Sequence, residues 1–391
     1  MKEKLLFVID SLHIGGAERS LITLLRHLDY DRFEVDLQLF DYDGALMSMI
    51  PSNVTILPQS FPLTILKKPL TKNLKYPGLF YNRTGYSLIR RIRKLSSSDL
   101  TCLYWKKFGR YFKRIEKEYD FAIAYSQGMP TFYVIEKVSA QRKIVRITAL
   151  NAFSERYTDY QIRFYNKADK ITVVSDKVKD YYAKSYLSHL RDKIKVLPDL
   201  IDSGLIEKSS HESISVEYAG LILLTVARLD KDTKGYDIAI ETAKYLKQRQ
   251  VKFRWYAIGE GHSHREIERL ISENDLKDDF ILLGSKINPY PFIAKCDIYV
   301  QPSRHEGNCI ALIEAMALNK PVVATDFSTA RAHIQDGITG FISSFAPQEI
   351  ADLIQNLSED KSKYSMVVEN LAKRRKGNLE EIEKFYDLLE N

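Results

Sequence analysis

Glu306 and Glu314 are the two side chains of this 391-residue sequence whose type and spacing most directly indicate chemistry. The run from Ala311 to Leu318 is rich in small, helix-forming residues, so Glu306 precedes a predicted helix and Glu314 lies one to two turns inside it. Residues 307–310 open that helix, where backbone N–H groups are free to bind an anion such as phosphate. Two carboxylates in this arrangement could accept hydrogen bonds from hydroxyl groups on either side of the phosphate. The alternative interpretation is a surface helix with two solvated carboxylates.

The flanking sequence predicts a strand, a loop, this helix and another strand. Cys296 to Gln301 reads as a short buried strand, and Pro302 to His305 as the loop that leaves it. Pro321 to Thr325 is the strand that follows the helix. This order is typical of one βαβ unit in a parallel sheet, and it makes the pair of glutamates a stronger signal than the spacing alone.

A second candidate group of residues is basic and begins the other half of the same predicted sheet. Arg228 and Lys234 follow the strand Leu221 to Ala227, and Gly235 leads into the next helix. A guanidinium and an ammonium beside a helix start form a suitable clamp for a diphosphate. Lys231 is an alternative to Lys234 in this role.

Gly15 and Gly16 form a glycine turn between the first predicted strand and the first helix. The two glycines allow positive φ and close approach of the backbone, so the turn can admit a phosphate or a sugar. The turn is not G-x-G-x-x-G, and no acidic residue stands where the ribose of a dinucleotide requires one, so a nicotinamide-dependent enzyme is disfavoured. A simple tight turn is the alternative.

Together, the E-x7-E spacing, the Gly-Gly-Ala-Glu-Arg turn and the Arg…Lys-Gly loop resemble the retaining, family-4 glycosyltransferases of the GT-B fold (glycosyl transferases group 1). The resemblance implies a nucleotide-diphosphate sugar donor, UDP-sugar favoured over GDP-sugar, and neither metal nor cofactor. It implies that Arg228, Lys234 and Glu306 are catalytic, with Glu306 on the sugar hydroxyls and Glu314 on the ribose. The remaining donor-binding candidates are Gly15, Gly16, Ser285, Lys286, Ile287, Gly307, Asn308, Cys309 and Ile310.

The predicted acceptor side departs from this family. Many relatives carry a histidine after the strand that corresponds to Lys143 to Thr148, and this sequence has none there. Gln127, Thr148 and Asn151 are the acceptor-side candidates, but none of them titrates near neutral pH as histidine does. Weak transfer activity is therefore an open alternative.

Strands that alternate with helices predict an α/β fold with two Rossmann-like domains, whose parallel sheets face a central cleft. We expect an N-terminal acceptor-binding domain over residues 1–202 and a C-terminal nucleotide-sugar-binding domain over residues 203–370. The polar residues 203–215 read as the interdomain connection. Residues 371–391 are predicted to form a helix that packs back on the N-terminal domain.

Composition indicates a globular protein with one unusually basic segment. The net charge is +7, yet residues 61–114 hold 14 Lys or Arg and a single acid. Aromatic residues interleave with these charges, which fits an anionic membrane surface; a solvated basic face with inward-pointing aromatics is the alternative. Three cysteines without C-x-x-C spacing, no leader sequence and no apolar run of about 18 residues predict a cytoplasmic protein. Peripheral attachment to the inner face of the cell membrane is left open.

The predicted function is retaining transfer of a hexose-type sugar to a glycan or a polyprenyl-diphosphate-linked acceptor, in bacterial capsule, exopolysaccharide or wall-glycan synthesis. The main alternative is a non-catalytic GT-B accessory protein that binds a glycan or a partner glycosyltransferase. A nucleotide-sugar epimerase is a further alternative, disfavoured by the E-x7-E and glycine-turn motifs. We expect no nucleic-acid binding, because no recognisable binding module is present.

Overall fold

The computed structural model describes residues 1–59, 95–150, 152–374 and 376–390, together with positions 82, 86, 87 and 89. The chain divides into two compact units. Unit 1 consists of Met1–Leu200 and Glu380–Asn391, and unit 2 of Ile201–Leu379. Of the predicted sites, Asn151 and most of the basic segment 61–114 lie outside the described residues.

Unit 1 is built on a seven-stranded parallel sheet of order β3-β2-β1-β4-β5-β6-β7. Its strands are β1 (Glu3–Ile9), β2 (Phe33–Leu39), β3 (Val54–Ile56), β4 (Glu118–Ala124), β5 (Ser139–Ile147), β6 (Lys170–Val173) and β7 (Ile194–Val196). Its α-helices, within the described residues, are α1 (Gly16–His27), α2 (Ser97–Phe108), α3 (Met129–Lys137), α4 (Thr158–Asn166) and α5 (Asp176–Lys184). Leu5 to Ile9 are at most 1% exposed, as expected for a central strand covered on both faces.

Unit 2 repeats the architecture with a six-stranded parallel sheet of order β10-β9-β8-β11-β12-β13. Its strands are β8 (Leu221–Val226), β9 (Phe253–Ile258), β10 (Phe280–Leu282), β11 (Ile298–Gln301), β12 (Val322–Thr325) and β13 (Phe341–Ser343). Its α-helices, within the described part of the chain, are α6 (Ser203–Ser210), α7 (Lys231–Lys234), α8 (Tyr236–Gln248), α9 (His264–Glu273), α10 (Tyr290–Lys295), α11 (Ile310–Ala317), α12 (Ala330–His333), α13 (Pro347–Glu359) and α14 (Lys361–Lys373). The α/β fold with two parallel sheets is thus as predicted.

Strand order locates the position in unit 2 where a ligand is expected. The sequence order runs outward from β8 to β10 on one side and from β11 to β13 on the other. The chain leaves β8 toward β9 and leaves β11 toward β12, so the two connections run in opposite directions from this adjacent pair of strands. A crevice therefore opens at the carboxyl ends of β8 and β11. The loops that carry the predicted basic residues and the first glutamate leave those two ends.

The last helix, α15 (Ile382–Glu390), packs on unit 1. Phe385 is 1% exposed and stacks on Phe7 of β1 at 6.0 Å between ring centroids. Arg142 donates to the carbonyl of Leu389 (2.6 Å), so a cation meets the negative end of the helix dipole. The basic residue near the start of β5 therefore has a structural role in holding the C-terminal helix.

The structure departs from the predicted organisation at two places. Residues 203–210 form helix α6 rather than a polar connection, because Ile206 (3% exposed) packs into the core of unit 2. The predicted division at residue 370 falls inside α14, whose Leu371 (1% exposed) belongs to that same core. The chain returns to unit 1 only at Glu380.

Candidate functional site

The loop after β8 changes direction at a glycine. Asp230 caps α7 by accepting from the backbone N–H of Thr233 (3.2 Å), and α7 ends at Lys234. Gly235 then takes φ +67° and starts α8. A Cβ at this position would lie 1.9 Å from the carbonyl oxygen of Pro302, so only glycine allows the two loops to pack this closely. Lys234 is thereby held against the loop that follows β11.

Lys234 and Glu306 form an ion pair in that position. The Lys234 Nζ lies 2.6 Å from Glu306 Oε2, with side-chain exposures of 18% and 8%. Lys231 points elsewhere and pairs with Glu266 at 2.5 Å. The structure thus brings Lys234, rather than the alternative Lys231, into contact with the first glutamate.

Glu306 is also held from the core side by a chain of hydrogen bonds. Its Oε1 accepts from the Ser303 hydroxyl (2.7 Å) and from Gln301 Nε2 (3.2 Å). Tyr299 in turn donates to Gln301 Oε1 (2.8 Å), which fixes the orientation of the amide. With these donors on one oxygen and Lys234 on the other, the carboxylate is fixed in place.

Helix α11 begins with free N–H groups beside this carboxylate. Its N-cap is Cys309, which has φ +54° and ψ +59° and provides no side-chain cap. Cys309 is 8% exposed. Burial raises the pKa of its thiol well above the usual value, the Glu306 carboxylate raises it further, and Lys234 acts in the opposite direction. The thiol is therefore protonated and inert at neutral pH, while the backbone around it can bind an anion.

Glu314 lies inside α11, as predicted, and is 4% exposed. Its Oε1 accepts from the Tyr290 hydroxyl (2.8 Å), and Tyr290 itself is 8% exposed. A buried carboxylate with one oxygen fixed in this way is preorganised to accept a further hydrogen bond on the other.

The segment predicted to contact a base follows β10. Gly284 takes φ +68°, and its carbonyl accepts from the N–H of Gly259 (3.1 Å), which joins the ends of β9 and β10. Ser285 is exposed and Ile287 is 49% exposed. Lys286 places its ammonium 5.9 Å from the centre of the Phe292 ring. These side chains are open to solvent, and an exposed isoleucine offers an apolar surface for a flat ring.

Arg228 is the most open of the predicted residues. It follows β8, and its side chain is exposed. Its backbone carbonyl accepts from Asp230 (2.7 Å), so the loop itself is ordered around it. The guanidinium is therefore free to bind an incoming anion.

Two acceptor-side candidates in unit 1 are bonded to each other. Gln127 Oε1 accepts from both the N–H (3.0 Å) and the hydroxyl (2.8 Å) of Thr148. Because its carbonyl is held twice, the Gln127 amide presents its two N–H donors in a fixed direction at the carboxyl ends of β4 and β5. Asn151 lies outside the described residues.

The glycine turn of unit 1 does not use the positive φ that its two glycines allow. Gly15 caps α1 with φ −159°, which is extended backbone that any residue adopts, and Gly16 is the first residue of the helix. A Cβ at Gly15 would meet the Glu18 carboxylate at 2.3 Å. The carboxylate is the end of a flexible side chain that can move away, so neither the space nor the backbone conformation requires glycine at this position.

The residues that hold Glu306 and Glu314 in place by hydrogen bonds were not predicted from the sequence. Gln301 and Tyr290 are buried polar side chains whose only visible signal was their position next to a motif. Tyr299, Gln301 and Ser303 follow the period of two expected along a strand and its exit, which could have placed them on one face. Polar residues at the end of a buried strand could therefore have been used to predict a site there.

A family model describes the second half of the chain. Residues 209–374 match the model for "Glycosyl transferases group 1", which spans most of unit 2 and includes all of the residues just described in that unit.

Two curated relatives show how similar this chain is to known glycosyltransferases in sequence. The uncharacterized glycosyltransferase MJ1059 of Methanocaldococcus jannaschii is 27% identical over 44% of this chain and 43% of its own length. The N-acetylgalactosamine-N,N'-diacetylbacillosaminyl-diphospho-undecaprenol 4-alpha-N-acetylgalactosaminyltransferase of Campylobacter jejuni is 28% identical over 83% of this chain and 81% of its own length. The chain thus spans less than half of the first relative and about four fifths of the second.

Among solved structures, Alr3699/HepE of Anabaena, in complex with UDP and glucose, covers all of both chains with a TM-score of 0.72 at 20% identity. At this level of identity the likeness shows the fold, and the chain has the GT-B fold predicted from its sequence. No helix in the described part of the chain is both long and apolar enough to cross a membrane.

Proposed function

We propose that this protein transfers a hexose-type sugar from a nucleotide-diphosphate donor to a hydroxyl of a glycan or lipid-linked acceptor, and the match of residues 209–374 to the group 1 glycosyltransferase model supports this proposal. The observation that carries the proposal is the Lys234–Glu306 pair (2.6 Å) at the start of α11, with Glu314 buried in the same helix. A cation, two carboxylates and free helix N–H groups together match a diphosphate flanked by two sets of hydroxyls.

Each set of residues in the site is assigned to bind one part of the donor. Arg228, Lys234 and the first N–H groups of α11 bind the diphosphate, whose negative charge grows as the bond to the sugar breaks. Glu306 accepts hydrogen bonds from the sugar hydroxyls, and Glu314 accepts one from the ribose. The exposed segment from Ser285 to Ile287 contacts the base. These side chains supply the positive charge that the leaving group needs, and on this basis we propose metal-independent catalysis.

The proposed reaction retains the configuration at the anomeric carbon. The bond between C1 and the phosphate oxygen breaks, and the acceptor oxygen bonds to C1 on the same face. The acceptor proton passes to the departing phosphate oxygen, so the products are the glycoside and the protonated nucleoside diphosphate. This route needs no enzyme nucleophile, and it assigns Lys234 and Arg228 to charge stabilisation rather than to proton transfer.

UDP is the favoured nucleotide, and a bacterial surface polysaccharide is the favoured product. The Anabaena structure of the same fold contains UDP and glucose, and the Campylobacter relative is named for a diphospho-undecaprenol-linked substrate. In unit 1 the Gln127 amide, oriented by Thr148, would donate to the acceptor hydroxyl. Cytoplasmic action, with peripheral attachment to the inner membrane face through residues 61–114, completes the proposal.

The direct test is release of nucleoside diphosphate from UDP-glucose, UDP-N-acetylglucosamine, UDP-N-acetylgalactosamine and the matching GDP-sugars, with a bacterial lipid extract as acceptor. We expect turnover with a UDP-sugar and a loss of about 10² or more in kcat for Arg228→Ala. Near-wild-type turnover of this variant would contradict the clamp assignment. Flotation with anionic and neutral vesicles at two salt concentrations tests the proposed membrane attachment separately.

The missing histidine on the acceptor side favours one alternative function. Without a histidine among the described residues of that segment, a glycan-binding accessory protein with no transfer activity fits the same fold. Such a protein would bind a glycan or a partner glycosyltransferase yet release no nucleoside diphosphate with any donor or acceptor fraction. The release assay therefore separates the two functions.

A further inference from the structure

We propose that Arg304 is a positioning residue that holds Lys234 in reach of the donor diphosphate. Its guanidinium forms a bidentate pair with Asp237, through Nη1 to Oδ1 (2.7 Å) and Nη2 to Oδ2 (2.7 Å). The inference deepens the proposed function and rests on it, because it assigns a role within the same donor site.

The contacts of Arg304 span the kink that orients Lys234. Asp237 lies in the first turn of α8, and Nη1 also donates to the carbonyl of Lys231 in α7 (3.3 Å). The two helices on either side of Gly235 are thus tied to one guanidinium. Lys234 sits between the two tied points, so its backbone direction depends on both.

Backbone hydrogen bonds join the same two loops. The N–H groups of Arg304 (2.9 Å) and His305 (3.2 Å) both donate to the carbonyl of Thr233. Thr233 directly precedes Lys234, and His305 directly precedes Glu306. The loop that carries the cation and the loop that carries the carboxylate are therefore held in register one residue away from the pair itself.

The geometry requires arginine rather than any cation. A planar guanidinium reaches two carboxylate oxygens and a carbonyl at once, whereas an ammonium is a single point charge on a flexible stem. With side-chain exposures of 35% and 38%, the pair contributes little net stability because solvent screens it. A residue that contributes little to stability yet ties two loops of a site is expected to affect binding more than folding.

The test measures UDP affinity by calorimetry together with the melting temperature, in the full chain. We expect Arg304→Ala and Asp237→Ala each to weaken UDP binding about ten-fold, and the double variant to be no weaker than either single one, because both remove the same contact. Arg304→Lys should recover only part of the affinity.

Arg249→Ala is the matched control. Arg249 forms an equivalent pair with Asp352 (2.6 Å) at the opposite end of α8, with a side-chain exposure of 27%. The Arg249→Ala variant should change the melting temperature about as much as Arg304→Ala does, but its UDP affinity should equal that of the wild type.

Three outcomes overturn the inference. Unchanged UDP affinity in Arg304→Ala, while the wild type binds UDP, contradicts the positioning role and leaves the proposed function intact. Equal losses of UDP affinity in Arg249→Ala and Arg304→Ala would show that lower stability in general, rather than the position of Lys234, weakens binding. Failure of the wild type to bind any nucleoside diphosphate removes both the inference and the donor site on which it rests.

Discussion

Lys234→Ala tests the structure most sharply, because it leaves a carboxylate in a nearly closed site without its cation. Glu306 has 8% of its side chain exposed, and Lys234 lies 2.6 Å away with 18% exposed. Removing one partner of a buried pair costs about 3 to 5 kcal/mol. Ser303 and Gln301 still donate to Glu306 Oε1, so we expect a loss of about 2 to 3 kcal/mol.

The magnitude can be measured for unit 2 alone. Of the two tryptophans, Trp255 lies in the core of unit 2 and Trp105 in unit 1, so a Trp105→Phe background reports unit 2 unfolding by fluorescence. A loss of 2 to 3 kcal/mol corresponds to roughly 4 to 12 °C in the melting temperature of a domain of this size. UDP at 100 times Kd should stabilise the wild type by about 2.7 kcal/mol, and a variant with ten-fold weaker binding by about 1.4 kcal/mol.

Glu306→Gln is the control for this prediction. It leaves Lys234 without its carboxylate, but a lysine reaches solvent by moving along its flexible stem, so the cost should be about 1 kcal/mol. The double variant Lys234→Met/Glu306→Gln should be more stable than Lys234→Ala, because no buried charge remains. A loss below about 0.5 kcal/mol for Lys234→Ala, with unchanged UDP stabilisation, would refute the argument that the pair is desolvated and part of the donor site.

Other positions give independent checks. Gly235→Ala should lower the stability of unit 2 by at least about 2 kcal/mol in urea unfolding, since φ is +67° and the new Cβ would lie 1.9 Å from a backbone carbonyl oxygen; a neutral result would contradict the packing of the two loops. Tyr290→Phe removes the donor to buried Glu314 and should cost about 2 kcal/mol and weaken UDP binding several-fold in calorimetry, whereas unchanged affinity would separate Glu314 from the nucleotide. Gln127→Ala should raise the acceptor KM about ten-fold and leave UDP affinity unchanged, because the amide held by Thr148 lies in unit 1; a change in UDP affinity instead would move this residue to the donor side.

Local patterns predicted most of the regular structure because buried parallel strands and amphipathic helices carry strong periodic signals. The strands β11 (Ile298–Gln301) and β12 (Val322–Thr325) lie within the ranges predicted on either side of the glutamate helix, and Gly235 precedes α8 as expected.

Tertiary packing overrode local composition in the segment that follows unit 1. Residues 203–210 are polar enough to predict a connection, yet a single buried side chain, Ile206, fixes them as a helix on unit 2. The glycine turn of unit 1 shows that local sequence alone does not fix a conformation. Two glycines allow positive φ, but the backbone at Gly15 is extended where the helix starts.

The sequence by itself determined the class of fold and named the candidate groups, because side-chain type and spacing can be read without three-dimensional information. It left Lys231 and Lys234 as alternatives, since both lie within one short helix. Only the tertiary structure decided between them, by placing Lys234 on Glu306 and Lys231 on Glu266. It also revealed Arg304 and Tyr290, because the partners that give these residues a role lie 67 and 24 positions away in the chain and meet them only after folding.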